Sequence, residues 1–283
     1  PRATTREAPR QGPQMMGLYS GALMGGGAFG AQISPLAVQW GWDWRAALAL
    51  WTIPVLIALP LAWHAFGHIQ TLLKKAAVSH AQPPTSDTRW LIRRPRTWTL
   101  MACFGLVNGG YAAVVAWLAP YYQTHGWSAS SSGMLVAILS VAQAAAALTL
   151  PMLAARHADR RPWIAFTLLC QIVGFAMLIW LPDAAPLLSA IILGIGLGGC
   201  FALMMVVALD HLPSPSQAGA LNALMQGGGF LLASLAPWVI AQLHEATGKF
   251  EAGWAYQLGC VCLVCVLVTR LSPNRYASAM KAH

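Results

Sequence analysis

The sequence predicts an all-α membrane protein that crosses the bilayer about eight times. Of its 283 residues, 57% are hydrophobic and only 9% are charged, whereas an ordinary soluble domain has about 25% charged residues. The apolar residues form separate runs of about 20 residues, long enough to cross a hydrocarbon core of roughly 30 Å as helices. The basic residues lie between those runs, which is typical of a multispanning membrane protein.

Uninterrupted apolar runs place the spans along the chain. They are predicted at 16–38, 44–66, 98–122, 131–155, 162–182, 185–209, 218–243 and 252–271. The span 98–122 has aromatic residues at both ends, where their rings prefer the headgroup level. A polar cluster containing Asn108 and Tyr111 lies near its middle, so these side chains need hydrogen-bond partners or water.

The charges between the spans predict how the chain is oriented. The long connection 67–97 is basic and contains Pro83 and Pro84, which is typical of an exposed linker. When the loops alternate across eight spans, only Arg45 and Lys249 fall on one side, and the other 15 of the 17 basic residues fall on the opposite side. This asymmetry predicts that the linker and both termini of this chain are cytoplasmic. The expected location is a bacterial-type inner membrane.

An internal repeat predicts how the spans are grouped. Residues 17–35 align without gaps on residues 219–237, and the glycine run 25–27 matches the run 227–229. Five predicted spans lie between the two copies, so the repeat unit has six spans. An even number makes both copies cross in the same direction, as in transporters built from two six-helix halves.

This arithmetic gives the domain organisation. The predicted parts are 1–66 as helices five and six at the end of an amino-terminal half, 67–97 as a basic cytoplasmic linker, 98–271 as the complete six-helix carboxy-terminal half, and 272–283 as a cytoplasmic tail. Four further helices are therefore expected in front of Met15.

Three stretches resemble the major facilitator superfamily, and within it the cyanate permease and 2-nitroimidazole transporter family. They read MMGLYSGALMGGGAFGAQ, FGLVNGGYAAVVAWLAPYY followed by GWSASSSG, and ARHADRRPW. The third keeps Asp159, Arg160 and Arg161 of the superfamily's cytoplasmic loop signature but lacks its glycines. The resemblance implies a major-facilitator-type helical bundle in which two halves alternate access to a central site.

Polar residues are rare inside the spans, and five of them are candidates for a substrate pathway. They are Asn108, Tyr111, Gln143, Asn222 and Gln226. Asn108 and Tyr111 are three residues apart and Asn222 and Gln226 are four apart, so each pair shares a helix face. The resemblance implies that helix seven lines the cavity and that helices eight and eleven flank it. The alternative for each side chain is a hydrogen bond to a neighbouring helix, the commonest use of polar residues in membranes.

The two glycine runs predict close approach between helices. Packing between the two halves is the expected role of Gly25, Gly26, Gly27, Gly227, Gly228 and Gly229. A phosphate-binding loop would need a lysine or a free helix start beside the glycines, and the sequence has neither at these positions.

The sequence argues against several other classes of protein. The six cysteines lie in apolar runs without neighbouring His or acidic residues, so we expect packing roles, no metal site and no cofactor. No His pairs with a buried Ser or acid, so an enzyme is not expected. The basic residues do not share one surface with a soluble domain, so no nucleic-acid partner is expected. The expected partners are the lipid bilayer and a small-molecule solute.

The sequence therefore predicts a transporter of the facilitator type. It would move a small polar or weakly anionic organic solute by alternating access, and the resemblance implies a cyanate-like or nitroimidazole-like compound. A proton as the coupling ion stays open, because no charged residue lies deep in a span: either coupling resides in the missing helices or the transport is uncoupled. The alternative function is that of a truncated membrane fragment that inserts but does not transport.

Overall fold

The computed structural model of the protein describes Gly26, 29–30, 33–34, 36–38, 40–64 and 89–280. Throughout this part of the chain the regular secondary structure is helical. Seven of its helical stretches are long and apolar enough to cross a membrane, and they correspond to the predicted spans from 44–66 onward. The all-α fold class is therefore confirmed. The predicted span 16–38 and the linker 67–97 lie largely outside the described residues.

The smaller of two compact units contains the described residues 33–34, 36–38 and 40–64. From Trp44 onward its described helices are α1, Trp44–Ala49, and α2, 52–64. Asp43 caps α1 by accepting a hydrogen bond from the backbone N–H of Arg45 at 3.3 Å. The side chains of α2 are exposed along the whole helix. An apolar helix left uncovered in this way is tolerated in a bilayer, because lipid tails are as apolar as its side chains.

The larger unit contains the described residues 89–280. Its helices are α3, Pro95–Thr124; α4, Ala129–Ala154; α5, Arg161–Trp180; α6, Pro186–Asp210; α7, Pro215–Ala233; α8, Leu235–Thr247; α9, Glu251–Val268; and α10, Tyr276–Met280. Short 3₁₀ helices precede α3 at Arg89–Arg93 and α10 at Pro273–Arg275. Pro stands in the first turn of α3, α5, α6 and α7, where its missing N–H has no intrahelical acceptor to lose.

The glycine-rich helix α6 is the centre of the larger unit. It packs closely against α4 and α5, and it also contacts α3 and α7. A Cβ atom on Gly196 would lie 2.8 Å from the carbonyl oxygen of Thr167 in α5, and one on Gly198 would collide with the backbone of Gln143 in α4. Only glycine fits at these two positions, so the sequence of α6 sets the distance to its neighbours.

The predicted span 218–243 is divided near its middle, where α7 ends at Ala233 and α8 begins at Leu235. Pro237 explains the break, because it has no N–H to donate to the carbonyl oxygen of Ala233 and its ring crowds that oxygen. Trp117 of α3 donates its indole N–H to the carbonyl oxygen of Pro237 at 3.0 Å. The bend is therefore held against α3.

Tyrosines fix the end of α3 against its neighbours. The hydroxyl of Tyr121 donates to the carbonyl oxygen of Leu178 at 2.6 Å, and that of Tyr122 donates to Pro182 at 3.0 Å. The Tyr121 ring also packs edge-on against Trp254, with centroids 5.7 Å apart. These contacts join α3, α5 and α9 at one end of the bundle.

Candidate functional site

Asn108 and Tyr111 lie near the middle of α3, as predicted. Asn108 is buried, and its side-chain amide donates to the carbonyl oxygen of Phe104 at 2.8 Å. One of its two amide hydrogens is therefore satisfied within its own helix. Tyr111 is half-buried and packs against the apolar core.

Gln143 lies at the same depth of the bundle as Asn108. Its backbone meets Gly198 of α6, while Gly110 of α3 faces Leu197, the preceding residue of α6. The Gln143 side chain is buried, and its Oε1 atom has no hydrogen-bond partner within 89–280. Two of the five candidates thus occupy one layer around α6.

Asn222 and Gln226 lie at a different depth. Gly109 of α3 packs on Ala233 of α7, so Asn108 is level with a residue 11 positions beyond Asn222. At 1.5 Å per residue, the two asparagines are roughly 16 Å apart along the helices. The Oδ1 atom of Asn222 also lacks a partner in the described chain. The structure therefore does not bring the five candidates together at one point.

Two further buried amides share the layer of Asn108 and Gln143. Gln171 donates to the carbonyl oxygen of Gly196 at 3.1 Å. Trp254 stacks on Phe175, and because α5 and α9 are antiparallel, Gln257 is level with about Gln171. Gln171 Oε1 and Gln257 Nε2 have no partner in this part of the protein, and each such group costs about 1–3 kcal/mol.

These two glutamines are not among the five residues predicted for the pathway. Gln171 could have been selected because it lies at the centre of the predicted span 162–182. Nothing in the sequence alone assigns Gln257 to the layer of Asn108, because its depth depends on how α9 packs against α5.

The glycine run in α7 packs mostly within the six-helix unit. A Cβ on Gly228 would meet the Met101 side chain at 2.7 Å, and one on Gly229 would meet Phe104 at 2.6 Å. Gly227 has open space around it and lines an apolar groove of about 880 Å³ between α3 and α7. Gly26 is also open, and Gly25 and Gly27 lie outside the described residues. A role in packing the two halves together stays a prediction.

The predicted loop signature connects α4, α5 and α6. Asp159 accepts three hydrogen bonds from the Arg161 guanidinium, the shortest at 2.6 Å, and one from the Arg161 backbone N–H at 2.9 Å. The Arg161 side chain holds the pKa of the Asp159 carboxyl below its usual value. Arg160 forms a salt bridge of 3.1 Å with Asp210 at the end of α6, and it also donates to the carbonyl oxygen of Ala154 at the end of α4.

His211 holds the last helix against the same end of the bundle. Its Nδ1 lies 2.7 Å from the carbonyl oxygen of Val207, and its ring stacks on Tyr276 of α10 with centroids 3.9 Å apart. Burial lowers the pKa of His211 to about 4 and raises the pKa of Tyr276 to about 12. Both rings are therefore neutral near pH 7, and their apolar stacking fixes α10.

Six membrane-spanning stretches, one of them the glycine-rich central helix α6, define a polytopic helical membrane protein with buried amides at one depth and arginine pairs at one end. Among the described residues no cluster of His, Cys, Asp or Glu could hold a metal ion. Residues 3–237 match the Major Facilitator Superfamily, and the chain belongs to that superfamily of transporters.

Comparison with individual proteins confirms the predicted subfamily. The chain is 42% identical over 276 residues to the cyanate transport protein CynX of Escherichia coli K12, covering 98% of this chain and 70% of that protein. It is 28% identical over 267 residues to the 2-nitroimidazole transporter of the same organism, covering 93% of this chain and 64% of the relative. It is also 26% identical to the uncharacterized transporter YycB of Bacillus subtilis, covering 82% of this chain and 56% of that protein.

Proposed function

We propose that the protein transports a small polar or weakly anionic organic solute by alternating access between two six-helix halves. The supporting observation is the identity of 42%, across 98% of this chain, to a cyanate transport protein. The similarity to a 2-nitroimidazole transporter supports a solute class that includes neutral polar compounds. Cyanate-like and nitroimidazole-like solutes are therefore the first compounds to test.

The interior of the larger unit has the chemistry that such a solute needs. In its described spans the charged residues lie at the ends of the helices. A solute deep in the bundle would meet neutral amides, and an amide N–H can donate to an anion without holding it as tightly as a fixed charge. We place the pathway at the layer of Asn108, Tyr111 and Gln143, with Asn222 and Gln226 as a second level nearer the basic end.

The proposed domain arrangement follows the sequence repeat. Residues 98–271 would be the carboxy-terminal half, with 1–66 belonging to the preceding half, and the linker and both termini would be cytoplasmic. Reporter fusions test this orientation. A reporter within 80–90 should read cytoplasmic and one within 123–129 external, and the opposite pair of readings would invert the topology.

Uptake measurements test the transport proposal. Cells that lack their own cyanate and nitroimidazole transporters would express this chain alone, or joined to the four helices that the repeat implies before it, and would receive labelled solutes. Saturable uptake above a vector control is expected of the twelve-helix form, because alternating access needs two six-helix halves. Uptake by the twelve-helix form equal to that control, with the protein present in the membrane, would contradict the proposal. Uptake by the twelve-helix form but not by this chain alone would favour the inactive-fragment alternative for this chain.

Amide variants then test the pathway. Gln143→Ala should reduce uptake by tenfold or more, because a hydrogen bond to a charged group contributes about 1.5–3 kcal/mol. Gln242→Ala is the matched control, since it removes the same amide from an exposed position of α8. Equal uptake by the two variants, at equal amounts in the membrane, would remove Gln143 from the pathway.

A further inference from the structure

Three arginines line one pocket at the basic end of the larger unit. The pocket has a volume of about 330 Å³ and lies where α3 begins and the chain leaves α9. Its lining residues are Pro95, Arg96, Thr99, Arg270, Arg275 and Ala279. None of the proposed pathway residues contributes to it, so the pocket is separate from the proposed solute pathway.

The fold positions the backbone that carries these arginines. Arg96 donates a hydrogen bond from Nη1 to the carbonyl oxygen of Arg270 at 2.8 Å, which joins the first turn of α3 to the end of α9. Arg275 directly precedes Tyr276, which is stacked on the buried His211. The backbone around the pocket and the Arg96 side chain are therefore in place before any ligand arrives, which reduces part of the entropic cost of binding.

The positive charge of this pocket is not compensated within the described chain. The carboxylates at this end of the unit, Asp159 and Asp210, form salt bridges with other arginines. The guanidinium groups of Arg96 and Arg275 are close enough to repel each other. The amino terminus of α3, a helix of 30 residues, adds a partial positive charge at the same place.

We propose that this pocket binds a phosphate group, supplied either by the headgroup of an anionic phospholipid or by a soluble phosphate. Guanidinium groups bind phosphate oxygens in bidentate pairs, and basic pockets between spans are typical headgroup sites. The pocket lies at the ends of two spans, the level at which headgroups are found. A bound phosphate would bridge α3 to the segment that follows α9.

Binding measurements on the purified chain test the proposal. The protein is placed in phosphatidylcholine nanodiscs, and phosphatidylglycerol is titrated in while retained lipid is measured by native mass spectrometry. Arg275→Gln should weaken phosphatidylglycerol binding tenfold or more, because it removes charge-assisted hydrogen bonds. Arg156→Gln is the matched control, an exposed arginine outside the pocket. It should weaken binding no more than about threefold, through a screened field alone.

A second arm identifies the source of the phosphate. Inorganic phosphate is titrated against the protein in phosphatidylcholine alone, with the same two variants and with unfolding temperature as the readout. Binding of phosphatidylglycerol without binding of inorganic phosphate assigns the pocket to a lipid headgroup. Stabilisation by inorganic phosphate, abolished in Arg275→Gln, assigns it to a soluble anion. Failure of both probes to bind the wild-type protein, or an equal loss in Arg156→Gln, would overturn the proposal.

Discussion

Adding one methyl group at Gly196 should weaken the bundle measurably. In Gly196→Ala the new Cβ would lie 2.8 Å from the carbonyl oxygen of Thr167 and 2.9 Å from the backbone nitrogen of Gln171. Both neighbours are backbone atoms of a long helix, so neither can rotate away. Helices α5 and α6 would have to separate by about half an ångström to reach ordinary contact.

Two effects lower the stability of Gly196→Ala and one raises it. Overpacking of this kind costs about 1–3 kcal/mol, and stretching the 3.1 Å bond from Gln171 to Gly196 costs about 0.5–1.5 kcal/mol. Replacing glycine by alanine in a helix returns about 1 kcal/mol. The expected net loss of stability is about 0.5–3.5 kcal/mol, which lowers the unfolding temperature by roughly 1–6 °C for a chain of this size.

The cysteines of the protein provide the assay. Cys103 and Cys200 are fully buried and become reactive toward a thiol-specific fluorophore when the bundle unfolds. Gly259→Ala in α9 is the matched control, because a Cβ there has open space within 4 Å. It should leave the unfolding temperature unchanged or raise it. If Gly196→Ala proves as stable as Gly259→Ala, the close approach of α5 to α6 is not as described.

Three further predictions concern other parts of the larger unit. Burial lowers the pKa of His211 from 6.5 to about 4, so as the pH falls this side chain takes up a proton in the unfolded chain before it does so in the folded protein. About 3 kcal/mol of stability should therefore be lost as the pH falls from 6.5 to about 4. Unfolding temperatures in His211→Gln should lack this part of the pH dependence. In a cysteine-free background, Tyr111→Cys should react with a hydrophilic thiol reagent faster than Ala113→Cys, and equal protection of both would place the pathway elsewhere. Arg160→Gln should destabilise the bundle by about 1–2 kcal/mol, measured by thermal unfolding, because it breaks the Asp210 pair and a bond to a helix end; an unchanged midpoint would show that this pair contributes nothing.

The sequence by itself determined which segments cross the membrane. In a bilayer, backbone polar groups must be satisfied within the segment, so an apolar run of about 20 residues forms a helix whatever its neighbours are. The predicted spans from 98–122 onward are helical for this reason. The superfamily could also be predicted, because it depends on local stretches such as FGLVNGGYAAVVAWLAPYY.

Only the tertiary structure decided which residues share a depth and which meet. Hydropathy does not report how a helix is rotated or which helix it touches, since lipid and protein neighbours are equally apolar. The predicted spans already put Asn222 nearer the start of its span than Asn108, but only the packing of α6 shows that Gln143 and Gln171 share the level of Asn108. The pocket of Arg96, Arg270 and Arg275 likewise depends on packing, because contact between the two ends of a 180-residue stretch of chain arises only when its helices assemble around α6.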